Sequence, residues 1–266
     1  MSWIRMRRSS SLVVVVMVLA MASASLAAVP GAPGTLLDPF TQTELDNNWI
    51  TDRQFPSGEV NSVSAHGRDD VAAIGVVGAD RSTAGSFYYF EGIKKVADFG
   101  LAVQVDLYVP AEWETAATSP LNVGFWTSDD PITAYPLIVF RNSATVDAGF
   151  YIWNTVGAGG YVYSGVDVNY GDWNTLSISL DPDNDTVNYA INGQFAGSSF
   201  AGSDAIGEVF LNHYNDGDRD YTAHWHAGFE EITSKEQCKK GNWEDAGFKN
   251  QGQCIRALKT GKDSRV

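Results

Sequence analysis

The sequence predicts an all-β fold, an antiparallel two-sheet jelly-roll sandwich with a short disulfide-closed C-terminal tail. Three observations carry this. Apolar and polar residues alternate with period two in several short runs, as in strands with one buried face. Clusters of Gly, Pro, Asn and Asp separate those runs, and residues 35–232 hold no long stretch of helical period. Both cysteines, Cys238 and Cys254, fall in the last segment, so the body before them must be held by its hydrophobic core.

The chain opens with Arg5, Arg7 and Arg8, then an apolar run over 12–22, then small residues suited to cleavage at Ala24/Ser25 or Ala27/Ala28. That run falls short of the ~20 residues that span a bilayer, so 1–27 reads as a cleaved signal peptide and the protein as secreted or extracellular. No later segment is apolar enough for a membrane span. Charge then divides the chain into a body, 28–232, and a tail, 233–266. The body sets seven Lys+Arg against 28 Asp+Glu, a net of −21, and the tail sets eight against four, a net of +4. Such a body repels nucleic acid and anionic polysaccharide and favours neutral ligands or cations. The same acidity also keeps a secreted protein soluble. In an oxidising compartment, one disulfide between Cys238 and Cys254 is the expectation for the tail.

Strand by strand, 100–109 places Leu101, Val103, Val105 and Leu107 on one face and Gln104, Asp106 and Tyr108 on the other. Leu176, Ile178 and Leu180 share a face in 174–180, as do Val187, Tyr189 and Ile191 in 186–191. "DPDND" (181–185) joins these two as a hairpin turn, and Asn192-Gly193 favours another. Near the end of the body, His213 meets His224 only if 208–214 and 221–230 form a hairpin, and a one-residue slip in register would turn His213 to the opposite face.

"LDPFTQTELDNNW", "DWNTLSISLDPDNDTVNYAINGQ" and "AIGEVFLNHYNDGDRDYTAHWHAGFEEI" resemble the opening, middle and closing strands of concanavalin A-like (lectin/glucanase, laminin-G-like) sandwiches. The closing match ends on Phe229, Glu230, Glu231 and Ile232, and the resemblance covers roughly 37–232. "WITDRQFPSG", "HGRDD", "SFYYFEGIKK" and "VDLYVPAEW" are similar to a group of secreted bacterial proteins that brings no activity with it. The tail resembles a two-cysteine segment at the ends of many secreted actinobacterial proteins. Hydrolases of the family carry Glu-x-Asp-x-x-Glu on one strand, one carboxylate as nucleophile and another as general acid. This chain matches only in "ELDNNW", with Glu44 and Asp46 present and Trp49 where the acid belongs. His-Glu-x-x-His, Gly-x-Ser-x-Gly, phosphate-loop and Cys-x-x-Cys signatures are absent.

Three sets of candidate residues remain. His224 and His226 share a strand face, and in a 208–214/221–230 hairpin His213 would come close to His224. Three imidazoles there would suit zinc or copper, or with Tyr214 or Arg219 a polysaccharide lyase. Asp181, Asp183 and Asp185, and again Asp216, Asp218 and Asp220, are spaced like the start of a calcium loop but lack the glycine and glutamate of an EF-hand. The same residues build turns without an ion. The resemblance implies calcium as a cofactor, since family members often carry one. Lastly, Trp126, Tyr135, Phe140, Phe150, Tyr151, Trp153, Tyr161 and Tyr163 make the middle strands aromatic, with Arg141, Asn142 and Asn154 as polar neighbours. Alternation lets at most half of them share a face, and Trp126, Tyr135, Trp153, Tyr161 and Arg141 are the candidate ligand-binding set. Arg53 and Arg68 read as structural answers to Asp52, and to Asp69 and Asp70.

The expected function is non-catalytic recognition of a neutral glycan or cell-surface polymer by a monomer. The alternatives are a carbohydrate-active enzyme, a lyase or metal-dependent, using His213, His224 and His226, and a surface structural protein with no small ligand.

Overall fold

The computed structural model describes residues 35–129, 134–154 and 159–228, and in the tail residues 235, 238–239, 243, 248 and 250–260. The expected signal peptide, the boundary at 232/233 and the closing run 229–232 lie outside the described residues.

Among the described residues, alternating sequence produces fifteen strands: β1 (Thr35–Leu36), β2 (Ile50–Arg53), β3 (Val60–Ala65), β4 (Arg68–Val76), β5 (Phe90–Val96), β6 (Ala102–Val109), β7 (Asn122–Ser128), β8 (Leu137–Ser143), β9 (Val146–Asn154), β10 (Gly160–Tyr163), β11 (Asp172–Asp181), β12 (Thr186–Ile191), β13 (Gln194–Phe200), β14 (Glu208–Tyr214) and β15 (Tyr221–His226). They build two stacked sheets. The first runs β13-β12-β11-β6-β15-β4-β3, antiparallel along this path, with β1 added parallel to β6. The second runs β10-β9-β8-β7-β14-β5-β2, also antiparallel.

Between the sheets, every second residue points inward. Val103, Val105, Leu107, Leu176, Ile178, Val187, Tyr189 and Ile191 of the first sheet meet Val123, Phe125, Ile138, Phe140, Phe150 and Leu211 of the second. Each such side chain contributes about 1.5–3 kcal/mol on burial, which holds a cysteine-free body together. Leu101, expected on this inner face, precedes β6 and is 41% exposed. The expected turns close as read. Asn184 donates to the Asp181 carboxylate between β11 and β12, and Asn192 and Gly193 both take positive φ, 52° and 73°, between β12 and β13.

Two local features depart from the sequence reading. "QTELDNN" forms a short helix, α1 (Gln42–Asn48), because the Thr41 side chain caps the Glu44 amide at 3.1 Å and Leu45 anchors its buried face. Glu44 and Asp46 therefore sit on a helix, and Glu44 pairs with Lys95 at 2.5 Å instead of facing a cleft. The second correction concerns β14 and β15, which are not a hairpin. The neighbours of β14 are β5 and β7, those of β15 are β4 and β6, and the chain crosses from one sheet to the other between them. Both strands carry inward apolar residues, Val209 and Leu211 on one, Ala223 and Trp225 on the other, so each completes its own sheet over the shared core.

In the tail, Cys238 and Cys254 form the expected disulfide, and Phe248, Trp243, Ile255 and Ala257 pack around it on a helix, α2 (Gln251–Thr260), and its approach. Closing a loop of this length stabilises by about 3 kcal/mol. Replacing both cysteines by serine is expected to remove the α2 contribution from the circular dichroism spectrum while the sandwich still melts cooperatively. No helix among the described residues is long and apolar enough to cross a membrane.

Candidate functional site

If alternate residues of the second sheet fill the core, their neighbours must face outward. On β14, β7 and β8 these are Phe210, Trp126, Leu137 and Val139, with Phe90, Tyr151, Trp153 and Tyr161 packed against them. Register puts them in line, Phe210 opposite Trp126, Trp126 opposite Leu137, and Trp153 opposite Tyr161. Gly124 supplies the room. A Cβ there would stand 2.6 Å from Trp126 Nε1 and 2.7 Å from Val139 Cγ1, so only glycine lets the indole lie down as a floor. The result is a trough of about 640 Å³ whose walls include Phe87, Phe90, Tyr135, Trp153, Tyr161 and Phe210.

Cations close both ends. Arg53 leaves β2 with φ 43°, and its guanidinium lies 4.4 Å from the Trp126 ring and 4.9 Å from Phe90. Its Nε also donates to Asp52 Oδ2 at 3.1 Å, and Asn212 Nδ2 donates to the same oxygen at 2.6 Å. At the other end Arg141 covers Tyr161 at 4.1 Å and Tyr151 at 5.4 Å. Burial raises the Tyr161 hydroxyl above its ordinary pKa, so it meets a ligand as a neutral donor and acceptor. Among the described residues, Asp52 is the carboxylate on the trough wall. Glu208 shares this outer face but lies four residues further along the sheet and two strands across, roughly 16 Å away. Lys94 at 2.7 Å and Ser128 at 2.7 Å hold it there.

All five residues of the candidate aromatic set therefore meet on one face: Trp126, Tyr135, Trp153 and Tyr161 line the trough and Arg141 caps it. Phe140 and Phe150 point into the core instead, and Asn142 is buried, donating to Trp113 O at 2.8 Å. The sequence reading missed Phe87, Phe90 and Arg53. Arg53 does answer Asp52, but its cation spreads over three rings as well. The aromatic run before β5 was the available signal.

The histidines separate. His213 points inward from β14 and accepts from Trp225 Nε1 at 2.9 Å, and burial pushes its pKa down to about 3. It cannot join His224 and His226, which face outward on the other sheet, so the expected trio does not form. The cause is the sheet crossing between β14 and β15. His66, from the β3–β4 turn, takes the third place, with its Nε2 3.3 Å from His224 Nδ1. Arg68 pairs with Asp106 at 2.5 Å, not with Asp69 or Asp70, lies 3.2 Å from His226 Nδ1 and stacks over Trp173 at 4.4 Å. His226 Nδ1 also accepts from the Gly228 amide at 3.0 Å. Both His224 and His226 are pushed down to about 4, first by burial and then by His66 and Arg68 respectively. The partners considered for a lyase lie elsewhere: Tyr214 packs on Phe90, and Arg219 is tied to Asp216 at 3.1 Å and to Ala116 O at 3.0 Å.

The aspartate runs do the work of turns. Asp181 accepts from Asn184, Asp185 holds φ 52°, Asp216 accepts from the Asp218 amide at 3.0 Å, and Asp220 accepts from the Gly78 amide at 2.8 Å. Asp183 and Asp218 are both exposed, each in its own turn. Among the described residues no three His, Cys, Asp or Glu side chains are grouped to hold a metal ion.

No family model matches the sequence, and no curated protein does. Solved structures similar to the chain include a sialidase (TM-score 0.47, 12% identity, covering 73% of this chain and 18% of that one). They also include a Bacillus licheniformis β-glucanase (TM-score 0.43, 15% identity, 74% and 98%) and the carbohydrate binding module CBM66 of Bacillus subtilis (TM-score 0.38, 11% identity, 67% and 91%). The chain thus spans 18% of the sialidase's length. The two antiparallel sheets stacked over one core are the architecture that the sequence motifs implied.

Proposed function

We propose that the protein is a secreted, monomeric, non-catalytic binding module that seats a neutral glycan, free or on a cell-surface polymer, in the trough of the second sheet. The observation that carries this reading is the alignment of Trp126, Trp153, Tyr161 and Tyr135 on one solvent-facing strip with arginines at its ends. Sugar rings present flat C–H faces that stack on aromatic rings, while the arginines, Asp52 and the tyrosine hydroxyls take hydroxyl groups. The net charge of −21 on the body disfavours an anionic polymer. A pair of catalytic carboxylates must stand about 5–10 Å apart. The backbone positions of Asp52 and Glu208 lie beyond that, and each carboxylate is held by its own partners, Asn212 for Asp52 and Lys94 and Ser128 for Glu208, which supports binding over hydrolysis.

The test is a panel of neutral polysaccharides and oligosaccharides against the mature protein. Wild type is expected to bind at least one, and Trp153→Ala to weaken that binding at least tenfold, about 1.4 kcal/mol, with an unchanged circular dichroism spectrum. Chelation is expected to leave the binding intact. Release of shorter products from the bound polymer would replace this reading with an enzymatic one, and unchanged binding by Trp153→Ala would move the ligand off the trough.

A further inference from the structure

On the opposite face of the sandwich, the geometry points to a two-imidazole site for a late first-row divalent metal ion, formed by His66 and His224. It does not depend on the glycan reading. Their facing nitrogens, His66 Nε2 and His224 Nδ1, are 3.3 Å apart. Two imidazoles bound to one tetrahedral ion at the usual metal–nitrogen length of about 2.0–2.1 Å would hold their nitrogens about 3.3 Å apart. A hydrogen bond spans a similar distance, but the ring positions separate the two cases. Rings meeting head-on at this nitrogen separation would place their centroids about 5.6 Å apart. The observed centroid separation is 4.8 Å with the rings 74° from parallel, nearer to the about 5.2 Å of two rings directed at one tetrahedral ion than to the head-on value.

The pair is held in that pose before any ion arrives. His66 stacks on Tyr108 with centroids 3.4 Å apart and planes 7° from parallel, and Trp173 Nε1 donates to His66 O at 3.2 Å. His66 and Gly67 close the β3–β4 turn with φ of 51° and 79°, a conformation asparagine or glycine would take more readily than histidine. A cavity of about 370 Å³ opens beside both rings, with Glu112, Thr118, Asp220 and Thr222 among its walls. It gives an ion access from solvent and leaves room for water ligands, with a carboxylate nearby. His226 stands outside the pair, since its Nδ1 is taken by Gly228 and faces Arg68. The observed spacing is that of a tetrahedral ion such as zinc(II), and copper(II), which binds imidazole more tightly, serves as the probe, needing the two nitrogens to close to about 2.8 Å as neighbours in its square plane.

The experiment titrates mature wild-type protein with copper(II) chloride, followed by calorimetry and electron paramagnetic resonance. One equivalent is expected to bind with hyperfine splitting from imidazole nitrogens. His66→Asn, which suits the turn, and His224→Gln are each expected to lower the affinity at least tenfold and to lose that splitting, while His226→Gln retains both. Thermal melts of the variants without copper check that each is folded. Equal copper binding by wild type and His66→Asn, carboxylate-only spectra, or loss through His226→Gln alone would overturn the assignment.

Discussion

Taking the protein from pH 7 to pH 4 is expected to remove several kcal/mol of its stability, with His213 as the largest single contributor. This histidine lies between the sheets, and its Nε2 accepts the Trp225 indole proton, so the ring must be neutral in the folded state. Its folded pKa of about 3 lies below the 6.5 of an unfolded histidine. Between those values the unfolded chain takes up a proton that the folded chain refuses. Stability is therefore complete above pH 6.5 and falls with decreasing pH, by about 1.4 kcal/mol per unit, until His213 protonates in the fold near pH 3. His224 and His226, at about 4, act in the same direction with a smaller weight because their pKa values are displaced less far. A domain of marginal stability, about 5–15 kcal/mol, feels such a slope. Urea unfolding at successive pH values reads it directly. His213→Gln keeps an acceptor for Trp225 and is expected to flatten the slope, even if it lowers stability at pH 7. A wild-type stability that stays flat from pH 7 to 4 would mean that His213 is not held neutral in the core.

Gly124→Ala is expected to abolish most ligand binding without touching any exposed ring. The added Cβ would fall within 3 Å of both the Trp126 indole and Val139, so the indole must lift from the floor into the trough. Overpacking of this kind costs about 1–3 kcal/mol in stability, which leaves the sandwich folded. The lifted ring occupies ligand space, and affinity should drop at least tenfold on whichever polysaccharide the wild type binds. Adding Val139→Ala makes room on the other side of Gly124 and should restore part of the loss. Wild-type affinity in Gly124→Ala would remove Trp126 from the binding surface.

Strands and their faces were legible because alternation is a local signal. Val105, Ile178 and Tyr189 point inward for the same reason that Gln104 and Asp106 point outward. The aromatic set was legible for that reason too, since Trp126 and Trp153 are outward positions of β7 and β9 in any register that buries Phe125 and Ile152. What failed was non-local. Sequence proximity suggested pairing β14 with β15, yet partner choice is settled across the core, and that choice sent His213 inside and brought in His66 from more than 150 residues away. Arg53 was read through its neighbour Asp52, and nothing local announces that its guanidinium also lies over Trp126. The helix at 42–48 is one cap and one buried leucine, too short for periodicity to reveal.

The tryptophans offer the most direct test of the central claim, that the trough of the second sheet is the ligand surface. Trp126 and Trp153 line it, Trp173 sits beside the histidines on the opposite face, and Trp113 and Trp225 are buried in the core. With ¹⁵N-labelled tryptophan, the indole N–H resonances are followed while a neutral oligosaccharide that the protein binds is added. Shifts confined to Trp126 and Trp153 are the expected result. Shifts at Trp173 with Trp126 and Trp153 unmoved would place the ligand on the other face and contradict the account.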